Sequence, residues 1–403
     1  MSKIRIKNFG PIKEGCLEDD GFLDIKKVTI FIGNQGSGKS TVAKVISTMM
    51  WLEKAINKGD MIGLSNSIFH YHSRFQGISD YFKPNSEIDY WGEKYSLKFS
   101  EVEVIPEKNE VEYGKYITPK VMYIPAERNT LSSISNIKGM PDHLLTFYEE
   151  LRRANKELKG KRLKLPINDY EYEYDEQSDS TFIIGFDYKI KILNASSGIQ
   201  SFAPLYVVSK NLAQLVIDSD ETIRKSMMSE SILQMNEEMA ALEVNDNLPE
   251  NMKVIKRKEI KAKFLSKCFI NIVEEPEQNL YPTSQRQILN SLLEFNNLSE
   301  GNKLIMTTHS PYIINYLSLA IQADYLKGKI HSDMLLEKLN SIVPLKSTIS
   351  ASDVAIYQLD ERDGTIRKLS TFDGIPSDKN LLNQSLADGN ELFDQLLEIE
   401  QEL

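Results

Sequence analysis

Leu23-Asp24-Ile25-Lys26-Lys27-Val28-Thr29-Ile30-Phe31-Ile32-Gly33-Asn34-Gln35-Gly36-Ser37-Gly38-Lys39-Ser40-Thr41 decides how this chain is read. Residues 23–32 pattern as a strand that runs straight into a glycine-rich loop. From Thr41 to Lys58, Val42, Val45, Ile46, Met49, Met50 and Leu52 recur at helical spacing and form a wide apolar stripe. Strand, loop and helix in that order are the context in which Gly33, Gly38, Lys39 and Ser40 satisfy G-x-x-x-x-G-K-[ST]. In such a loop the backbone N–H groups of residues 33–41 face phosphate oxygens and Lys39 offsets their charge. The Ser40 hydroxyl reaches magnesium, and the helix presents its positive dipole end to the anion.

Three further motifs follow in order. Ser196-Ser197-Gly198-Ile199-Gln200 precedes a mostly apolar helical stretch, Ser201 to Ile217. Next, Phe269 to Val273 reads as a buried strand ending in two adjacent acids, Glu274 and Glu275, an arrangement that is costly unless a cation or partner satisfies it. Glu274 is placed to hold magnesium, and Glu275 to polarise the attacking water of a phosphoryl transfer. Finally, Thr307-Thr308-His309 follows the apolar Leu304-Ile305-Met306. Its position after the acids makes His309 a candidate γ-phosphate contact.

The chain has 403 residues, 41% hydrophobic and 26% charged, a composition of the soluble globular class and long enough for a main domain with insertions. Forty-eight basic against fifty-eight acidic residues give a net charge of -10, which disfavours non-specific attraction to DNA. Cys16 and Cys268 lie far apart, so no disulfide is expected. The amino-terminal residues alternate like a strand and lack a signal peptide's apolar core, and no stretch is long enough to span a membrane. The expectation is a cytoplasmic protein without a membrane partner.

Residues 1–140 read as an amino-terminal lobe: strands at Ile4–Lys13 and Leu23–Ile32, the loop, its helix, and a small antiparallel sheet from Tyr95 to Tyr116 and Val121 to Ile124. A charged helical insertion follows at 141–166, then a lobe at 167–218 carrying Ser196–Gln200. Residues 219–266 look like a helical hairpin parted by Asn245-Asp246-Asn247-Leu248-Pro249-Glu250-Asn251. The two insertions fit either a solvated cover or an oligomerisation or sensor surface. Residues 267–330 hold the acidic strand and His309. In 331–403 a hairpin is expected at Asp353–Leu359 and Thr365–Ser370, with Asp360 to Asp363 as solvated turn acids, before an acidic amphipathic helix from Leu392 to Leu403.

With these residues in view, the chain resembles the ABC-type ATPase heads of the SMC, Rad50, RecF and OLD group. The resemblance implies an α/β fold: a P-loop ATPase head with a mixed central sheet flanked by helices, a small antiparallel β subdomain and helical insertions. Ser196–Gln200 is similar to the group's LSGGQ signature, with Ile199 replacing a glycine, and Glu274 stands where Asp is usual. In that group the signature of one head closes on ATP held by another, which gives Ser197, Gly198 and Gln200 an ATP-binding role in a homodimer or higher homo-oligomer.

Glu274-Glu275-Pro276-Glu277-Gln278-Asn279-Leu280-Tyr281-Pro282 resembles the E-E-P-E-x-x-L-x-P run of OLD-like and defence-associated ATPases, with the part after Pro276 as the D-loop. Ile124-Pro125-Ala126-Glu127-Arg128 is similar to a segment of the same branch. Its Arg128 either approaches nucleotide or the dimer seam or is an exposed loop residue. Gln76 is the candidate for the Q-loop glutamine. Within the group the pairing of motifs looks most like the AriA-type ATPases of the PARIS anti-phage system, then those of the Septu system. That implies a scaffold that senses a phage-derived trigger and holds an effector nuclease of Toprim fold encoded nearby. Residues 311–403 lack the Glu-Gly turn and Asp-x-Asp strand end of a Toprim domain, so the nuclease is expected on another chain. A DNA-repair ATPase of the RecF or Rad50 kind is the alternative; Ile199 argues against a transporter subunit.

Overall fold

The computed structural model describes residues 2–59, 66–100, 103–110, 116–132, 139–245 and 248–401. Asp246 and Asn247 of the expected interhelical loop, parts of the stretch from Tyr95 to Tyr116, and Leu403 lie outside them.

A seven-stranded mixed sheet forms the centre, and the chain runs through its elements in the following order. β1 (Ser2–Lys7), β2 (Gly15–Cys16), β3 (Phe22–Ile25) and β4 (Val28–Gly33) lead to α1 (Lys39–Lys58) and α2 (Asn66–Phe75). β5 (Glu87–Trp91), β6 (Tyr95–Ser100), β7 (Glu103–Lys108) and β8 (Pro119–Ile124) come next, then α3 (Asp142–Glu157). The small sheet of β9 (Arg162–Lys164), β10 (Glu171–Asp175), β11 (Ser180–Ile184) and β12 (Lys189–Lys191) precedes α4 (Ser197–Leu215). α5 (Asp220–Lys225), α6 (Ser229–Glu243) and α7 (Glu250–Phe264) make the charged insertion. The chain closes with β13 (Cys268–Glu274), α8 (Pro282–Asn296), β14 (Lys303–Thr308), α9 (Pro311–Lys327), α10 (Asp333–Ile342), β15 (Val354–Leu359), β16 (Thr365–Lys368), a two-stranded ribbon at residues 371–376 and α11 (Leu381–Gln401).

The central order is β2-β16-β15-β4-β14-β13-β8, so the acidic strand β13 and the loop strand β4 are separated only by β14, the strand that ends beside His309. All three are parallel and point their carboxyl ends the same way, which gathers their loops into one crevice. Alternation along β4 sends Val28, Ile30 and Ile32 to one face, against α4, α8 and α9, and Phe31 to the other, against α1 and the antiparallel sheet β3-β1-β5-β6-β7. Every residue of β4 and β13 is buried, so both faces of the sheet are covered.

Several local expectations are revised. The expected strand Leu23–Ile32 is two strands in two sheets: the Thr29 hydroxyl accepts the Lys26 N–H at 3.0 Å, turning the chain at Lys26-Lys27. The first strand stops at Lys7 because Asn8 and Gly10 adopt left-handed backbone. β8 does not continue the antiparallel sheet; it pairs in parallel with β13 at the central sheet's edge. The last helix begins well before Leu392, at Leu381. Among the described residues no helix is long and apolar enough to cross a membrane.

Candidate phosphate and metal site

Gly33 ends β4 with φ near +150°, and a Cβ there would sit 2.5 Å from the Leu359 carbonyl oxygen, so the loop's first position admits only glycine. Asn34, Gln35 and Gly36 are exposed, Ser37 and Gly38 are buried, and the helix starts at Lys39 with Ser40 exposed and Thr41 buried in its first turn. The Lys39 ammonium is buried and turned back into its own loop, donating to the carbonyls of Gly33 at 3.0 Å and Asn34 at 2.8 Å. Burial lowers its pKa to about 8, partly opposed by Glu275, Glu277 and Glu274. A polyphosphate would restore the charged form. Nucleotide binding at pH 8 is therefore expected to take up protons, an uptake that fades towards pH 6.5 and is missing in Lys39→Arg. Calorimetry in two buffers of different ionisation enthalpy measures it; equal heats in both at pH 8 would contradict this picture.

Glu274 is 4% exposed. One carboxylate oxygen accepts the Ala126 N–H at 3.2 Å, and the other has no hydrogen-bond partner among the described residues. Glu275 sits beside it in left-handed backbone, φ 43°, a strained conformation for a non-glycine residue. Its N–H donates to the Thr307 carbonyl at 3.0 Å, and its carboxylate lies 3.6 Å from His309 Nε2. Burial and then Glu274 raise the Glu275 pKa, whereas burial and then Lys39 lower that of His309. A neutral imidazole thus faces the carboxylate, which keeps the oxygen able to accept a proton.

Two residues that reading the sequence did not place hold this pair. Glu277 accepts from the Thr308 hydroxyl at 2.8 Å and the His309 N–H at 2.7 Å, tying the turn after β13 to the histidine loop. Arg128 is not an exposed loop residue but fully buried, 0% exposed. Its guanidinium donates to the carbonyls of Ser201 (3.2 Å), Pro125 (3.0 Å), Glu274 (2.7 Å) and Glu275 (2.6 Å). It locks the strained end of β13 to α4. Nothing in the sequence marks either role, because a turn acid and a loop arginine are ordinarily solvated.

The turn between β15 and β16 also departs from expectation. Glu361 is exposed, yet it accepts from the Asn34 amide at 3.0 Å, so this hairpin borders the phosphate loop. Gln76 lies elsewhere: it is buried and donates to Ser47, roughly 12 Å along α1 from Lys39.

Ser196 and Ser197 are exposed at the start of α4. Gly198 packs so tightly on the turn after β13 that a Cβ would stand 2.6 Å from the Asn279 carbonyl. Gln200 folds its amide onto the carbonyls of Ala195 (2.8 Å) and Leu193 (3.0 Å). The structure thus brings together Lys39, Glu274, Glu275 and His309, and leaves Ser197 facing outward.

The residues present fit a magnesium ion. The unpartnered Glu274 oxygen and the Ser40 hydroxyl are hard oxygen donors, and magnesium takes its remaining ligands from phosphate and water. A family model described as an AAA ATPase domain matches residues 1–268 and 254–314. The chain belongs to this family. Membership assigns ATP as the nucleotide, hydrolysis as the reaction and magnesium as the usual metal. A search of curated proteins found no match to this chain. Among solved structures it is similar to an SMC head bound to the C-terminal winged-helix domain of ScpA, at 12% identity over 92% of this chain and 96% of that one, TM-score 0.43. It is also similar to the SMC head domain of Thermotoga maritima, at 9% identity, 92% and 98% coverage and TM-score 0.38. A dimeric bacterial ABC transporter cassette matches at 13% identity, 92% and 100% coverage and TM-score 0.25.

Proposed function

We propose that this chain is an ABC-type ATPase head whose ATP site is completed by the signature of a second head. We further propose that the pair acts as sensor and scaffold of an anti-phage defence system, holding and releasing a separate effector nuclease of Toprim type. The observation that carries the pairing is the exposure of Ser196 and Ser197 at the amino-terminal, positive end of a 19-residue helix. Lys39, Ser40 and Glu274 would grip the phosphates and magnesium, Glu275 would orient and deprotonate water, and His309 would contact the γ-phosphate. Glu277 would couple His309 to the turn that underlies Gly198. ATP would then stabilise the closed pair through contacts that open heads lack.

The separate nuclease is supported by the motif resemblance and by the use of residues 354–368 as strands of the central sheet beside the phosphate loop. The test is the native mass of the complex recovered with tagged protein expressed with its flanking genes, with and without ATP. A homo-oligomer carrying a nuclease chain is expected. A dimer that forms only with ATP and binds DNA without a second protein would favour the repair reading and overturn this one.

A further inference from the structure

The last helix, α11, is anchored at its start. The Leu381 N–H donates to the Gln358 side-chain oxygen of β15 at 3.0 Å and Leu382 packs on the core, but residues 387–400 are all exposed, about 20 Å of helix standing off the head. A free helix of that length is marginal in water. Its apolar side chains are uncovered as well: Phe393 is 61% and Leu396 63% exposed. At 100° per residue Leu392, Phe393, Leu396, Leu397 and Ile399 form one stripe, with Asp388 at one rim, Asp394 at the other, and Glu391 and Glu398 behind. Leu381–Gln401 contains no basic residue.

α9 carries a second uncovered face. Tyr312, Asn315, Leu319, Gln322 and Leu326 are exposed and recur at alternating spacings of three and four, the seam of a helix that pairs with another. The seam is about 21 Å long, a match for the free part of α11. The opposite side of α9, with Ile313, Leu317 and Ile321, is packed in the core, yet Pro311 to Ala323 contains no charged residue that would keep the outer side in water. Tyrosine and leucine in place of charge is the composition of an interface centre. The charged residues of α9 are confined to its carboxyl end, Asp324 and Lys327, with Lys329 just beyond. Neither lysine forms an ion pair among the described residues: Lys327 donates to the Leu345 carbonyl at 3.3 Å, and Lys329 lies over the Tyr325 ring.

We propose that α11 of one copy lies along the α9 face of a second copy, with Leu392, Leu396 and Ile399 set among Tyr312, Leu319 and Leu326 and the acidic rims near Lys327 and Lys329. Charge selects this occupant. Two α11 helices against each other would bring acidic rims together with no base between them, whereas the α9 face offers unpaired lysines. The contact needs no nucleotide and is separate from the meeting of phosphate loop and signature.

Cys16 and Cys268 are buried, so a cysteine placed at Leu319 or at Leu396, both exposed and mid-seam, reports the contact. Leu319→Cys and Leu396→Cys chains carrying tags of different length, mixed without nucleotide and treated with a short bismaleimide, are expected to link to each other, while each variant alone gives little linked dimer. Adding Lys327→Glu and Lys329→Glu to the Leu319→Cys chain should lower the yield about threefold or more at low salt, and adding Asp388→Lys and Asp394→Lys to the Leu396→Cys chain should then restore it. ATP binding at the phosphate loop shows that the variants are folded. A Leu396→Cys chain that links mainly to itself, no linkage between chains, or linkage indifferent to the charge reversals would overturn the assignment.

Discussion

Glu275→Gln is expected to slow ATP turnover by about 10²–10⁴-fold while ATP binding persists. The amide occupies the space of the carboxylate but accepts no proton, so the attacking water loses its base. The phosphate-gripping side chains Lys39 and Ser40 are themselves retained. Glu275 is also the acid that most supports the Lys39 charge, so its removal lowers that pKa further. If ATP binding closes two heads and hydrolysis opens them, the variant accumulates as a closed pair in ATP. Turnover assays and native mass with ATP read both consequences; ready dissociation in ATP would contradict the scheme.

Arg128→Met is expected to be nearly as damaging for a different reason. The methionine fills part of the space but leaves four carbonyl oxygens without their buried donor. Breaking a buried charged network of this kind costs about 3–5 kcal/mol, a large share of a domain's total stability. Its loss also releases the left-handed backbone that aims Glu275, so turnover falls even in molecules that remain folded. Thermal unfolding compared with turnover at a temperature where the variant is folded separates the two effects. A variant as stable and as active as the parent would show that the guanidinium is dispensable.

Residues 33–41 were legible because their chemistry and their neighbours are contiguous: strand, loop and helix follow one another in the sequence. Glu274, Glu275 and His309 were legible because each follows an apolar strand whose end must lie at the edge of a buried sheet. What escaped reading depends on pairings between distant segments. That β15 lies beside β4, bringing Glu361 to Asn34, is a pairing across more than 300 residues with no local signal. The division of residues 23–32 between two sheets turns on one Thr29 hydroxyl, which alternation does not reveal. Arg128 looked like any loop arginine, since only tertiary structure surrounds it with carbonyls.

The composite site is tested most directly by mixing two variants. Lys39→Ala removes the phosphate grip and keeps the signature. Ser197→Glu keeps the grip, suits the helix amino terminus, and sets a negative charge where a partner's γ-phosphate would bind. Each alone is expected to be inactive. In an equal mixture half of the dimers are mixed, and each of these holds one complete site of two, so turnover is expected to return to about a quarter of the parent's. A mixture as inactive as its components, or Ser197→Glu fully active alone, would contradict an ATP site shared between two heads.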